Sequence, residues 1–377
     1  MTDAPVAAKF ATTSIFLTVQ NQQERSAMEQ RRLGRTDIFV SSLSLGTMTF
    51  GEQNTEAEGH AQLDLALERG INLFDAAELY PIPPKAETQG RTEEIIGTWM
   101  KARGNRDKVV LATKVVGRSE NTWFRDGGVP AKLTRAHVEE AVNKNLKRLG
   151  TDYIDLYQLH WPDRNVSGFG SNPTIWTDPA PCDDETPIEE TLAALGDLVK
   201  AGKIRQVGLS NESAWGTMRF LAVAEKMGLP RVVSIQNAYS LVNRTFETAL
   251  AEIAHREQVG LLAYSALAQG YLTGKYRDGV LPAGARKTLF DRLQRYEKPG
   301  AEPAINAYLD LADELGLSSS QLAIAFALSR PFMTSVILGA TSLAQLEHDL
   351  GALDVTITEE IEGRINTLFQ HHGSPCP

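Results

Sequence analysis

Eight times along this chain a short apolar run rich in strand-forming residues is followed by a longer amphipathic stretch, and that alternation restricts the fold more than any other feature. The runs are SSLSLG (41–46), INLFDA (71–76), KVVLATK (108–114), YIDLYQLH (153–160), IRQVGLS (204–210), VVSIQNA (232–238), GLLAYSA (260–266) and TSVILGA (334–340). Their nearly continuous apolar character suits strands covered on both faces of a parallel sheet. Helices are expected at 56–69, 91–103, 134–149, 188–201, 213–227, 245–257, 342–352 and 358–369. The first follows the capping pair Asn54-Thr55 and stops at Gly70. The third opens on Thr134, carries apolar Val138, Ala141, Val142, Leu146 and Leu149, and stops at Gly150. A strand–helix unit repeated in this way closes into a (β/α)8 TIM barrel, an α/β fold, here with a C-terminal helix after the last strand. Two long stretches, 161–187 and 267–300, break the rhythm just past strand C-terminal ends. Long loops on that face are where such barrels keep their function.

Size and charge fit this reading. The 377 residues suit one barrel domain, since such domains run from roughly 250 to more than 400 residues. The net charge of −9 makes nucleic acid and anionic membranes poor partners. Cys182 and Cys376 show neither disulfide nor metal spacing and read as free thiols, and no ligand cluster for a metal is evident. The apolar stretch 10–19 is too short to span a membrane, which takes about 20 residues, and lacks the features of a signal peptide. Residues 1–27 therefore read as a disordered extension, 28–377 as a single domain, and the protein as cytoplasmic. No G-x-G-x-x-G follows a strand, and no P-loop, HExxH or G-x-S-x-G occurs.

Four polar residues stand at or just past the ends of the second, third and fourth strands: Asp75 and Tyr80 in LFDAAELYP, Lys114 in LATKV and His160 in YQLHWPD. A charge at the end of an apolar strand is costly to bury unless it is paired, and Asp75 and Lys114 on adjacent strands can pair. These residues resemble the catalytic tetrad of the aldo-keto reductase family, and the resemblance covers roughly residues 29–369. GTMTFGEQN (46–54), YPIPPKAETQG (80–90), GLSNE (208–212) and LTGKY (272–276) are similar to its bacterial branch of Tas-like oxidoreductases.

The resemblance implies an NADP(H)-dependent enzyme that reduces aldehydes or ketones to alcohols. Tyr80 is then the general acid, and Lys114 lowers a phenol pKa that is ordinarily about 10. Asp75 keeps Lys114 charged, and His160 donates a hydrogen bond to the substrate carbonyl. On the cofactor side the resemblance implies that Ser210, Asn211 and Gln236 hold the carboxamide and Tyr264 stacks under the ring. Gly46, Thr47, Met48 and Asp75 line the cofactor. Ser265, Leu267, Ala268, Gln269 and Gly270 form the loop across the pyrophosphate, and Lys275 and Arg286 meet the phosphates. Gly339, Thr341, Gln345, His348 and Asp349 surround the adenosine 2′-phosphate. Relatives carry Lys and Arg where this chain has Gly339 and Gln345, and Asn where it has Asp349.

Several aromatic residues past strand ends, Phe50, Trp161 and Trp176 foremost, with Phe169 and Tyr239, are expected to wall a substrate pocket. Glu78 and Glu87 flank Tyr80 without an assigned role. His60, His137 and His255 read as helix surface, and His371-His372 as an exposed tail. Two other readings compete. One is a nucleotide-binding regulatory subunit with little turnover, since potassium-channel β subunits resemble the same family. The other is a lyase or aldolase with Lys114 as a Schiff-base amine.

Overall fold

A computed structural model describes residues 27–166, 175, 176, 180 and 182–376 of the chain. The barrel strands are β3 (Leu43–Gly46), β4 (Leu73–Asp75), β5 (Val110–Val115), β6 (Ile154–Leu159), β7 (Ile204–Ser210), β8 (Val232–Ala238), β9 (Gly260–Tyr264) and β10 (Met333–Leu338). They are parallel and close through the β10–β3 pairing, so every strand has two neighbours. Each coincides with one of the eight expected runs, β5 ending one residue after its run and β10 beginning one residue before its run. Before them comes a hairpin that the sequence reading did not anticipate, β1 (Gln30–Arg32) and β2 (Phe39–Ser41). Strands of three residues are too short to show a period.

The hairpin closes the floor of the barrel. Leu33, Ile38 and Val40 are buried against Leu73, Val110, Ala112, Leu156, Val233 and Leu262, which form an apolar cluster separate from the main core. Gly34 makes this contact feasible. Its φ is +59°, and a Cβ there would lie 2.7 Å from the Val233 carbonyl oxygen. With the floor filled, the opposite end is left for chemistry.

The first six helices follow successive strands: α1 (Glu56–Glu68), α2 (Arg91–Arg103), α3 (Arg135–Leu149), α4 (Ile188–Lys200), α5 (Ala214–Met227) and α6 (Leu250–Glu257). The expected starts hold in detail. Thr55 and Glu58 form a reciprocal capping box, and Thr134 and Ser213 accept from the backbone N–H three residues on. The sixth helix starts later than expected because 245–248 is a 3-10 turn and Ala249 has φ −138°.

Between β9 and β10 lie α7 (Arg286–Phe290), α8 (Ala301–Glu314) and α9 (Ser319–Leu328). The sequence reading placed no helix there. In α9 the run Leu322–Ala327 is buried throughout, so the helix has no polar face to reveal its period. The chain ends with α10 (Leu343–Leu350) and α11 (Glu359–His372). His371 and His372 close α11 and are not a tail. The terminus beyond them packs back on the barrel, with Cys376 buried and its N–H donating to the Val242 carbonyl at 3.3 Å. Among the described residues no helix is long and apolar enough to cross a membrane.

Candidate active site

Strand register decides which side chains meet at the open end. Asp75 pairs with Ala112, Lys114 with Gln158, and Ser210 with Gln236, so these polar residues share the rim of the barrel. Lys114 is fully buried and donates to Asp75 Oδ2 at 2.6 Å and to the Ala76 carbonyl at 2.7 Å. The other oxygen, Asp75 Oδ1, accepts from Gln236 Nε2 at 2.8 Å and from Gln158 Nε2 at 3.2 Å. Asp75 is thus a hub for three donors. Gln236, expected at the carboxamide, spends its amide nitrogen on Asp75 and Gln158.

The Lys114 ammonium sits 4.9 Å from the Tyr80 ring centre, and the His160 ring meets the Tyr80 ring edge-on at 5.7 Å. Burial penalises the Lys114 ammonium, but Asp75 and Tyr80 outweigh it and hold the amine above its ordinary value. An amine held charged in this way is no Schiff-base nucleophile. Burial raises the Tyr80 phenol, Lys114 pulls it down, and the net direction is up. The expectation of a net lowering is therefore corrected, because desolvation of the phenolate exceeds the ammonium's attraction. His160 is driven well below its usual value by burial and then by Lys114, so it is a neutral imidazole. Its Nδ1 is buried with no hydrogen-bond partner.

A cavity of about 1140 Å³ opens above these groups. Asp75, Tyr80, His160, Gly46, Thr47, Met48, Ser210, Asn211, Gln236, Tyr264, Ser265, Leu267 and Gln269 line it, as do Lys275, Arg286, Gly339, Thr341, Gln345, His348 and Asp349. Tyr264 Oη donates to Asn211 Oδ1 at 2.6 Å, and Asn211 Nδ2 donates to the His160 carbonyl at 2.8 Å. Ala268 does not line the cavity; it is buried in the core behind Leu267 and Gln269. Left-handed backbone gathers here, at Asn211 (φ 52°), Ser265 (58°), Ala268 (48°) and Gln269 (54°), followed by Gly270 (105°). Each such non-glycine residue costs on the order of 1 kcal/mol, and strain of this kind clusters at ligand clamps. Gln345 caps its own helix entry by accepting from the Thr341 N–H at 2.9 Å, and His348 Nε2 bonds Ser318 at 2.8 Å. Burial lifts the Asp349 carboxyl to about 6.

The expected substrate wall is only partly present. Trp161 lines the cavity and tilts against His160, with ring centres 4.8 Å apart. Gly117 permits this, because a Cβ there would come within 2.1 Å of the Trp161 carbonyl oxygen. Phe50 is instead core: it is fully buried, packs on Gly59, and its carbonyl accepts from Thr92. Tyr239 is buried too, bonded to Glu247. Trp176 is 74% exposed and does not line the cavity. Phe169 lies outside the described residues.

Other features were not anticipated. Glu78, two residues before Tyr80, is fully buried and forms a two-pronged pair with Arg125 at 2.9 Å on each side. Glu78 also accepts from the Val116 N–H at 2.7 Å. Arg295 and Lys298 join Arg292 on the cavity wall, whereas Arg277 and Lys287 of the same loop pair with Asp310 and Glu297.

A parallel eight-stranded barrel with Asp, Tyr, Lys and His at one rim defines an oxidoreductase of the aldo/keto reductase class. The model of the Aldo/keto reductase family matches residues 42–368, and the chain belongs to that family. It is 48% identical over 352 residues to Protein tas of Escherichia coli (strain K12), covering 93% of this chain and 100% of that one, which places it on the Tas-like branch. It is 34% identical to the Uncharacterized oxidoreductase YrpG of Bacillus subtilis (strain 168), over 93% of this chain and 98% of that one. It is 33% identical to a Probable voltage-gated potassium channel subunit beta of Oryza sativa subsp. japonica, over 91% of this chain and 97% of that one.

Proposed function

We propose that the protein is an NADP(H)-dependent reductase of aldehydes or ketones in which Tyr80 supplies the proton. The observation that carries this reading is the buried Lys114–Asp75 pair set against the Tyr80 ring, with neutral His160 meeting that ring edge-on.

The cavity fits a nicotinamide dinucleotide phosphate. Lys275 and Arg286 line it with no carboxylate in ion-pair contact among the described residues. The loop with left-handed residues at Ser265, Ala268, Gln269 and Gly270 runs along the cavity between the nicotinamide and phosphate ends of this reading. Ser210, Asn211 and Tyr264 would hold the nicotinamide end, and Thr341, Gln345 and His348 the 2′-phosphate end beside α10. When bound, the reduced nicotinamide supplies hydride to the carbonyl carbon.

The side chains do the rest. Tyr80 is protonated at neutral pH, because burial keeps its phenol above the ordinary value, so it holds the proton that the carbonyl oxygen needs. Lys114 favours the phenolate left behind. Asp75 keeps that ammonium charged and aimed. The neutral His160 orients the carbonyl oxygen as a hydrogen-bond donor, and Trp161 helps exclude water.

The deciding test is NADPH consumption against a panel of aromatic aldehydes and dicarbonyls, for the protein and for Tyr80→Phe. Turnover that falls by about 10²-fold or more in the variant supports the reading. Tight nucleotide binding without turnover of any carbonyl favours instead the binding role that the name of the Oryza relative suggests.

A further inference from the structure

The loop between β9 and α8 carries more positive charge than the residues facing it neutralise. Outside the cavity, every described arginine except Arg32 has a carboxylate in ion-pair contact. Arg32 donates to backbone carbonyls. Arg286, Arg292 and Arg295 have no carboxylate partner among the described residues, and all three line the cavity together with Lys298. In a chain of net charge −9 this is not for want of carboxylates. The nearby Glu297 is taken by Lys287, and Asp75 by Lys114.

These cations do not all serve the same end of the cavity. Lys275 feels both Arg286 and Asp349, which puts it towards α10, the adenosine side in the reading above. Arg295 is at the other end. It lies beside the Tyr264 hydroxyl, which donates to Asn211, which in turn donates to the His160 carbonyl. Arg295 is thus linked through Tyr264 and Asn211 to His160, on the side of the cavity where Tyr80 also acts on the Tyr264 hydroxyl. Arg292, exposed and within electrostatic reach of Arg286, stands at the mouth. A guanidinium presents a planar fork of donors matched to an oxyanion such as carboxylate or phosphate, and near a partly desolvated site it attracts one strongly.

We propose that the carbonyl substrate is itself an anion, with a carboxylate or phosphate group received by Arg295 and drawn in by Arg292 while its aldehyde or ketone faces Tyr80 and His160. This rests on the reductase reading.

The test compares matched pairs of substrates with saturating NADPH: 4-carboxybenzaldehyde against its methyl ester, and glyceraldehyde 3-phosphate against glyceraldehyde. The expected result is a kcat/KM at least about tenfold higher for one or both anionic members, carried mostly by KM and shrinking as salt is raised. Whichever pair shows the larger ratio identifies the anionic group. In Arg295→Met that ratio falls towards one, Arg295→Lys restores part of it, and Arg292→Met lowers it less, while the NADPH dissociation constant of each variant stays within about threefold of the parent. Neutral members reduced as fast as their anionic partners overturn the inference and leave the reductase reading intact. A loss of NADPH affinity that matches the loss of kcat/KM also overturns it, because the arginines then belong to the cofactor. No turnover of any carbonyl overturns the reductase reading itself.

Discussion

Lys114 and Asp75 form a buried ion pair 2.6 Å long at the rim of the barrel, with the lysine fully inaccessible. Removing one member leaves a buried charge without its partner, which costs about 3–5 kcal/mol. Lys114→Met and Asp75→Asn are each expected to lower unfolding free energy by that order in urea titrations. The double variant recovers much of the stability and none of the activity. Because the lysine is held above its ordinary value, its contribution is fully present at neutral pH and is lost as pH rises through that raised value.

Glu78 and Arg125 act on Tyr80 through the backbone. The pair ties the 121–126 loop to the turn in which the Tyr80 N–H donates to the Ala77 carbonyl at 3.0 Å. Arg125→Met leaves Glu78 buried and unpaired and is expected to destabilise the fold by about 3–5 kcal/mol. Glu78→Gln combined with Arg125→Met restores stability but loosens the turn. Its kcat is expected to fall roughly tenfold to hundredfold with NADPH affinity unchanged. A double variant with parental kcat would contradict this role.

Asp349 places a carboxylate in a cavity read as binding phosphates. Its pKa is raised by burial to about 6, so its stabilising effect belongs to the protonated form. That effect is complete below the ordinary aspartate value and is lost as pH rises through about 6. Asp349→Asn is therefore expected to raise the melting temperature at pH 8 more than at pH 4. It should also tighten NADPH binding several-fold at pH 8, with little change at pH 5. Differential scanning fluorimetry and fluorescence titration at the two pH values check both parts.

His160 is neutral because burial and Lys114 both disfavour its imidazolium. A pH–rate profile is expected to show no inflection near the ordinary histidine value of about 6.5. Its ring resonances in NMR should be those of the neutral form at pH 6. An imidazolium signal at pH 6 would contradict the assigned neutral state.

The barrel was legible because its strands are buried on both faces and punctuated by turn residues, so eight apolar runs stand out. That Asp75, Tyr80, Lys114 and His160 gather at one rim was legible from polar residues at or just past the ends of such runs together with the family resemblance. What was missed follows from the same physics. The short strands β1 and β2 are below any period, and α9 is buried throughout Leu322–Ala327. Phe50 stands past a strand end yet is turned into the core, since local sequence does not tell which face of a loop a ring takes. Glu78 and Arg125 are 47 residues apart and look like ordinary surface charges until the fold buries them together. Arg295 and Lys298 drew no notice because single cations in a loop carry no pattern.

The central claim is direct transfer of hydride from a dinucleotide in this cavity to a carbonyl carbon beside Tyr80. It is tested most directly with NADPH deuterated at C4, followed by mass spectrometry of the alcohol formed. The account predicts one deuterium on the new carbinol carbon from only one of the two C4 epimers, and almost none of that product from Tyr80→Phe. An alcohol that takes its new carbon-bound hydrogen from solvent, or equal transfer from both epimers, would contradict it.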